Sequence, residues 1–390
     1  MFRRAYRLPF KLLGIPLDLD ITFLLVLPLF AWIIANNIPG YIETFGLEID
    51  PNALREVMHP FFLGLVAAAG LFVSVVIHEL GHCVVGRYFG MEITSITLWL
   101  LGGMAQFKAI SKRPGVEALM AIAGPVTSYA LGGLGWLALS ATPSALPALQ
   151  FVVSYLMWMN IILATFNLLP ALPLDGGRVL RSLLALRMSH LDATQTAVRV
   201  SRFFAFLLGL VGFVSVNVFM LLVAFFVFMA GTSESQLATV SAMLQGIRVR
   251  DVMTLAVKTV PPEMRVSALL EKMFAEKHLA YPVLNEAGNT IGIVTLRELQ
   301  HPGETGDGTL NVSAVMTDVG MIEPDESAFD AFMKISQHPT GRLVVSGPDG
   351  KLEGIISKTD LVQAVQLRMV GKALAPKGAV GGGRMSSPER

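Results

Sequence analysis

The chain has 390 residues, of which 53% are hydrophobic and only 15% are charged, whereas a soluble domain averages about 25% charged residues. The formal net charge of +1 gives no electrostatic basis for a nucleic-acid partner, and the single cysteine excludes an internal disulfide and a thiolate metal cluster. Together with a mean hydropathy of +0.60, these values predict a membrane protein.

Five apolar runs lie within the first 230 residues. A helix needs about 20 apolar residues to cross a bilayer, and the last run is long for one crossing and short for two. The basic residues that precede the first run lack the compact apolar core of a signal peptide, so we expect them to remain on the mature chain. The runs cover residues 21–38, 61–77, 116–140, 150–169 and 203–230.

The distribution of Lys and Arg predicts the orientation of these runs, because both residues concentrate in cytoplasmic loops. They precede the first run, separate the second from the third and follow the fourth, whereas the intervening loops contain only Arg55. A cytoplasmic C-terminal half then requires two crossings within 203–230. We therefore predict six spans, with a turn near Gly212 to Asn217 and an entry helix that begins in 191–202; a single crossing would place that half outside.

Residues 92–110 alternate between apolar and polar side chains, as β-strands do. Gly102 and Gly103 are predicted to form a bend between two strands. A small β element is therefore expected between the second and third spans.

The composition becomes that of a soluble protein after the last run. Two similar units follow, each with VMT, a strand, an amphipathic helix, a second strand and a GI(V/I)(T/S) segment, and such copies are expected to pack on each other. A Gly-, Ser- and Pro-rich tail is predicted to be disordered. The predicted divisions are a membrane domain 1–235, a linker 236–246, repeats 247–305 and 309–370, and the tail 371–390.

The stretch HELGH places two histidines and a glutamate in an apolar helix. His78 and His82 share one face, so both imidazoles can reach one Zn²⁺, and Glu79 can accept a proton from water beside that ion. A chance match to this pattern is the alternative. The membrane setting favours the metal site, because ionisable residues in a spanning segment are rare and usually functional.

A catalytic zinc needs a third protein ligand and an open position. The other histidines lie at the outer end of the second run, in a polar loop or in the C-terminal half. Asp175 follows the fourth run, at the depth expected for His82, and Pro170 and Pro173 interrupt the helix beside it. We therefore prefer Asp175 as the third ligand over the alternative of an ordinary Asp-Gly turn.

The first 235 residues contain four motifs in combination: HELGH (78–82), LLGGMAQF (100–107), AGPVTS (123–128) and NLLPALPLDGG (167–177). Through these motifs, residues 1–235 resemble the site-2 protease family of intramembrane zinc metalloproteases. The resemblance implies that His78, His82 and Asp175 bind zinc, that Glu79 is the catalytic base, and that Asn167 holds substrate or the developing oxyanion. It also implies that an extended substrate adds as a strand to the membrane-associated sheet.

The two C-terminal repeats resemble CBS domains, which pair into an adenosine-nucleotide-sensing module and dimerise. The ligand positions of that family correspond to Ser357 and Asp360 in ISKTDL, and to Thr295 and Glu298 in VTLREL. Glu298 departs from the aspartate of the family. The resemblance implies binding of AMP, ADP or ATP and a homodimer, and a packing module without a ligand is the alternative.

These features predict a multi-pass α-helical membrane protein of about six spans, with a small membrane-associated β element, followed by a cytosolic α/β CBS-domain pair. The predicted function is a nucleotide-regulated zinc protease, embedded in the lipid of the cell membrane, that cleaves transmembrane or membrane-adjacent segments of other proteins. A CBS-gated ion transporter is the alternative from another functional class. Such a transporter has no need for a glutamate between two histidines at this spacing.

Overall fold

The computed structural model describes residues 5–99, 102–107, 114–143, 145–300 and 310–374. The chain divides into two compact units, Met1–Ala238 and Thr239–Arg390. Helix Val218–Leu244 covers most of the predicted linker.

Helix Lys358–Leu374 includes the first four residues of the predicted disordered tail, so these four residues are helical and not disordered. Lys372, Ala373 and Leu374 are good helix formers, and the Gly- and Pro-rich composition starts only after them. The remainder of the tail lies outside the described residues.

The first unit is built mainly from helices. Among the described residues, five helices are long and apolar enough to cross a membrane, and the pair Phe23–Asn36 and Ile38–Thr44, bent by 67°, would supply a sixth span. Large apolar side chains such as Leu25, Trp136 and Phe206 point outward, as expected where lipid replaces water. The predicted helical membrane architecture is therefore confirmed. The helices are α1 (Phe23–Asn36), α2 (Ile38–Thr44), α3 (Pro51–Val57), α4 (Pro60–Tyr88), α5 (Pro114–Ala141), α6 (Pro147–Asn167), α7 (Asp175–Leu184), α8 (His190–Val214) and α9 (Val218–Leu244).

The ambiguous apolar run 203–230 is divided between two helices, α8 and α9. Val216 in the connection has a φ of 52°, and Oδ1 of Asn217 accepts a hydrogen bond from the backbone N–H of Met220 at 3.0 Å. The turn lies within the predicted interval, and α8 begins just before the amphipathic segment. The run therefore supplies two helices rather than one long span.

Four strands form one sheet in the order β1-β2-β3-β4. They are β1 (Ala5–Leu12), β2 (Ile15–Asp20), β3 (Ile93–Trp99) and β4 (Gly102–Phe107). β1 pairs antiparallel with β2, β2 lies parallel to β3, and β3 pairs antiparallel with β4. Only β3 and β4 are among the predicted elements, although Ile15, Leu17 and Leu19 alternate in the manner of a strand. Leu13 and Gly14, with φ values of 49° and 76°, form the tight turn of the unpredicted hairpin.

The prediction that Gly102 and Gly103 form a bend is wrong. Both residues lie inside β4, where they pair with Trp99 and Leu98. A Cβ atom on Gly103 would lie 2.8 Å from Cγ of Glu79, so this glycine allows α4 to approach the sheet closely. The sheet packs on α4 through a core of Ile15, Leu17, Val76, Cys83, Ile96 and Leu98.

The second unit contains two similar α/β repeats, in agreement with the predicted fold class. The first repeat comprises a 3₁₀ turn (Val249–Asp251), α10 (Val266–Glu276), β5 (Ala280–Leu284), β6 (Thr290–Thr295) and α11 (Leu296–Leu299). The second comprises α12 (Val312–Val315), β7 (Gly320–Ile322), α13 (Ala328–Gln337), β8 (Arg342–Ser346), β9 (Leu352–Ser357) and α14 (Lys358–Leu374).

The repeats interlock through the two motifs that they share. Thr254, in the VMT segment of the first repeat, forms an antiparallel bridge with Ile355 of the second. Thr317, in the VMT segment of the second repeat, forms the same bridge with Ile293 of the first. The VMT and GI segments are therefore the two sides of one contact that the unit uses twice.

Candidate active site

Helix α4 presents His78 and His82 on a buried face, with exposed fractions of 4% and 8%. Nδ1 of His78 lies 2.8 Å from Oγ of Ser128, and Nδ1 of His82 lies 2.7 Å from the backbone oxygen of Met120. Because a carbonyl only accepts, neutral His82 carries its proton on Nδ1 and keeps a lone pair on Nε2. Both histidines are thus oriented through Nδ1, which leaves Nε2 for another partner.

Asp175, the first residue of α7, is that partner. Its Oδ2 atom lies 3.2 Å from Nε2 of His78 and 3.3 Å from Nε2 of His82, and the residue is 7% exposed. A buried carboxylate is costly unless it is paired or binds a metal. The structure therefore brings the three predicted ligands together around one point.

The two glycines after Asp175 explain how α7 reaches this point. A Cβ atom on Gly176 would collide with a carbonyl oxygen of the preceding turn, and one on Gly177 would collide with the backbone nitrogen of Leu172. That nitrogen donates a hydrogen bond to Oγ of Ser201 at 2.7 Å, which ties the turn to α8. The DGG sequence thus lets α7 fold back tightly onto a fixed turn.

Helix α5 closes the opposite side of the histidine pair. A Cβ atom on Gly124 would lie 2.5 Å from Nε2 of His78 and closer still to Nε2 of His82. Met120, Gly124 and Ser128 follow one another at intervals of four residues and so lie along one face of α5. Gly124 and Ser128 lie in the AGPVTS motif, and Met120 lies just before it. The motif alone predicts no role for these residues, and their regular spacing is the signal that identifies them.

Two imidazoles and one carboxylate form a donor set typical of catalytic zinc. The absent side chain at position 124 leaves the space between both Nε2 atoms free, and hydrogen bonds from each Nδ1 provide the orientation that metal-bound histidines usually have. The residues therefore fit a zinc ion.

Glu79 lies beside this cluster. His78, Glu79 and His82 have possible ligand atoms within 4.8 Å of one another, but Oδ2 of Asp175 is closer to both histidines. Oε2 of Glu79 instead accepts a hydrogen bond from the backbone N–H of Ala105 in β4 at 3.0 Å. This position suits a proton carrier better than a third ligand.

A second polar cluster supports α7 from behind. Arg181 donates from Nε to Oε1 of Glu117 at 2.9 Å and from Nη1 to Oε2 of Glu234 at 3.0 Å. Arg181 and Glu117 are 7% and 3% exposed. The cluster was not predicted, although charges within or beside apolar helices are the signal that could have found it. It links the helix that begins with Asp175 to α5 and α9.

Asn167 is the last residue of α6, and its Nδ2 atom donates to the backbone oxygen of Leu163 at 3.0 Å. In the described part of the chain, its side chain makes no hydrogen bond to His78, His82 or Asp175. Its role at the substrate therefore stays a prediction.

In the second unit, the four predicted nucleotide-binding residues pair locally. Ser357 donates from both its backbone nitrogen and Oγ to Oδ2 of Asp360, at 2.7 Å each. Thr295 donates from its backbone nitrogen to Oε2 of Glu298 at 2.9 Å, and its hydroxyl bonds to the same oxygen. Both pairs have the reciprocal pattern of a capping box at a helix start. The longer Glu298 thus serves the same local role as Asp360.

Comparisons with known proteins match both units. Residues 66–145 and 140–210 match the model of peptidase family M50, and residues 249–301 and 312–367 match the CBS domain. The zinc metalloprotease MJ0392 of Methanocaldococcus jannaschii is 32% identical over 359 residues, which cover 92% of this chain and 95% of the relative. Rip3 of Mycobacterium tuberculosis is 30% identical over 376 residues, 92% of each chain. The solved site-2 protease from Methanocaldococcus jannaschii shares 31% identity, with 60% of this chain and 95% of that chain covered and a TM-score of 0.42.

Proposed function

The chain belongs to peptidase family M50, the zinc metalloendopeptidases of the site-2 protease type, and from that premise we propose that it cleaves membrane proteins within or beside the bilayer. The observation that carries this proposal is the convergence of His78, His82 and Asp175. They meet among helices that are long and apolar enough to span a membrane. A hydrolytic site in that setting can act on substrate segments that lie in the bilayer. The peptidase match also leaves no basis for the transporter alternative.

We assign the zinc ligands as His78, His82 and Asp175. Zinc bound there supplies a Lewis acid for the substrate carbonyl and for water. The Nδ1 contacts of both histidines keep their Nε2 atoms turned to the site. Glu79 accepts the proton of the attacking water and passes it to the leaving amine, which is general acid–base catalysis by one carboxylate.

The substrate must present an extended peptide bond, because hydrogen bonding and side chains shield the backbone of a helix. β4 is the edge strand next to Glu79, and its residues are partly exposed, so an unwound segment can add to it as a further strand. We assign Asn167 to hold the substrate or the oxyanion. This role requires its amide to leave the backbone oxygen of Leu163.

We place the N-terminus and the CBS unit in the cytoplasm. The Lys and Arg distribution along the first unit supports this orientation, and an even number of crossings returns the chain to the side on which it started. A reporter fused after residue 245 is expected to be active only when that reporter works in the cytoplasm. Activity confined to an external reporter would contradict this orientation.

For the CBS pair we propose binding of AMP, ADP or ATP and homodimerisation. The match of both repeats to the CBS domain supports this assignment. Asp360 is the residue suited to accept hydrogen bonds from ribose hydroxyls. Calorimetry with the three nucleotides and sedimentation of the purified protein test the two parts separately. Absence of heat with all three, or a monomer, would contradict the corresponding part.

The decisive experiment separates zinc binding from proton transfer. In liposomes with single-span substrate proteins, Glu79→Gln should keep about one zinc per chain and lose cleavage, whereas His78→Ala should lose both. Glu56→Gln, a change of the same type at an exposed residue, is the matched control and should retain both. Normal cleavage by Glu79→Gln, or loss of its zinc, would overturn the assigned role of Glu79.

A further inference from the structure

The N–H of Ala105 identifies which edge of β4 is open. In an antiparallel ladder, successive residues direct their backbone groups alternately toward the neighbouring strand and away from it. The N–H of Ala105 donates to Glu79 at 3.0 Å and so points away from β3. The same alternation directs the N–H groups of Met104 and Gln106 toward β3.

β4 is held close to α4 at both of its ends. Gly103 has no side chain where Cγ of Glu79 approaches, and a Cβ atom on Gly86 would lie 2.9 Å from the ring of Phe107. β4 therefore runs alongside the part of α4 that carries the candidate catalytic residues. Within this arrangement, the Glu79 carboxylate occupies the outward N–H of the edge strand.

This contact creates a competition at the substrate-binding edge. A peptide that adds to β4 as a strand needs the outward N–H of Ala105 for one of its own carbonyl oxygens. The same N–H also turns the Glu79 carboxylate toward the sheet. One donor cannot serve both acceptors at full strength.

We propose that the Glu79–Ala105 hydrogen bond is a latch that the incoming substrate strand opens. A backbone carbonyl of the extended substrate takes the N–H of Ala105, and this exchange releases the Glu79 carboxylate for proton transfer. No covalent bond forms or breaks in this step. The inference rests on the proposed proteolytic function and adds that the proton carrier is freed by strand addition itself. It also restricts substrates to segments that can unwind far enough to pair with β4.

Peptide binding to the full-length, zinc-loaded protein in detergent tests the latch without relying on cleavage. The probe is a fluorescent Leu–Ala peptide of about 20 residues, with a central Gly-Pro pair that opens the helix and a reduced, non-hydrolysable bond beside it. Glu79→Ala removes the competitor and should tighten binding several-fold. In the Glu79→Ala background, Ala105→Pro removes the outward donor and should weaken binding about tenfold, the worth of one hydrogen bond. In the wild-type background the loss should be smaller, because the contact with Glu79 disappears together with the donor. An edge strand tolerates proline where the N–H points outward.

The double variant supplies the critical comparison. If the two groups form a latch, Glu79→Ala should no longer tighten binding once Ala105→Pro is present, because the contested donor is gone. Equal tightening in both backgrounds, or none in the wild-type background, would overturn the proposal. Peptide binding to none of the proteins would overturn it as well, since β4 would then not be the docking edge. Met104→Pro is the matched control for the direction of the N–H. It removes an N–H directed at β3 and should therefore disrupt the sheet, whereas Ala105→Pro should leave the sheet intact.

Hydrogen–deuterium exchange tests the same idea without a proline. The amide of Ala105 should exchange faster in Glu79→Ala than in the wild type, and the peptide should restore its protection. An unchanged exchange rate in Glu79→Ala would contradict the latch even if Ala105→Pro fails to fold. This outcome leaves the protease assignment intact, because zinc content and cleavage by the wild type test that assignment separately.

Discussion

In the membrane unit, the polar groups of the candidate site come from distant parts of the chain. His78 belongs to α4, its partner Ser128 to α5, and Asp175 to α7. In the second unit, Ser357 and Asp360 are three residues apart and bind each other. A polar group in hydrocarbon must find a protein partner, whereas one at a wet surface can use water or a neighbour. Long-range polar contacts in the first unit should therefore contribute more to the free energy of unfolding than the local pairs contribute in the second.

The largest expected effect comes from one methyl group at the membrane site. Gly124→Ala places a Cβ atom about where both Nε2 atoms converge, so we expect loss of zinc and of cleavage. Zinc analysis of the purified variant measures this. Gly133→Ala on the same helix is the control, because a Cβ there would meet no described atom within 4 Å apart from its own stretch of helix. Full zinc occupancy in Gly124→Ala would show that the ion is not held between the two histidines.

The next effect concerns the ion cluster behind α7. Arg181→Met leaves the buried Glu117 carboxylate without its cation, and breaking such a pair costs about 3–5 kcal/mol. We expect a clear fall in the free energy of unfolding and weaker zinc binding, because α7 begins with Asp175. Chemical unfolding in detergent with zinc titration measures both, and Arg181→Lys should recover part of the loss. The exposed Arg187→Met is the control, and equal stability of the two Met variants would contradict the role of the cluster.

The capping pairs of the second unit should show a smaller effect. Asp360→Ala and Glu298→Ala each remove one partner of a capping box, which costs about 1 kcal/mol, and neither should alter zinc content. On the proposed nucleotide assignment, Asp360→Ala should also remove whatever thermal stabilisation of the wild type is measured with adenosine nucleotides. Asp349→Ala, at an exposed residue, is the control. If nucleotides stabilise Asp360→Ala as much as the wild type, Asp360 acts only as a helix cap.

Much of the membrane fold was predictable from the sequence, because long apolar runs indicate membrane spans and basic loops indicate their orientation. The division of 203–230 into α8 and α9 followed from charge and length. The hairpin of β1 and β2 was not predicted, because its basic residues were interpreted only as a signal of orientation, although Ile15, Leu17 and Leu19 alternate as in a strand. The Arg181 cluster was missed because its three members are far apart in the chain and only folding brings them together.

In the candidate site, the side chains form a pattern that the sequence reveals, whereas the backbone groups do not. His78, Glu79 and His82 form a recognisable pattern, and Asp175 was found by its place after the fourth span. The carbonyl of Met120 and the N–H of Ala105 belong to the backbone, which every residue type carries, so no sequence pattern marks them. Gly124 lay in a recognised motif, but its role depends on the distance between two helices.

The smallest effect is expected for a local pair in the second unit. Tyr281 donates from Oη to Oε2 of Glu276 at 2.8 Å, and this bond, with Lys258 nearby, lowers the pKa of the Glu276 carboxyl. Burial, aided by that carboxylate, raises the pKa of the Tyr281 hydroxyl to about 12. A carboxyl whose pKa is lowered by folding stabilises the fold above its unfolded pKa, and this contribution is lost as pH falls through the folded pKa. Tyr281→Phe should therefore lower the Tm by about 3 °C or less at pH 7, and the difference from wild type should shrink below about pH 4. Tyr88→Phe, at a residue that is 84% exposed, is the control. A difference in Tm between Tyr281→Phe and wild type that stays constant from pH 7 to about pH 3 would show that the ionisation of Glu276 contributes nothing through this bond.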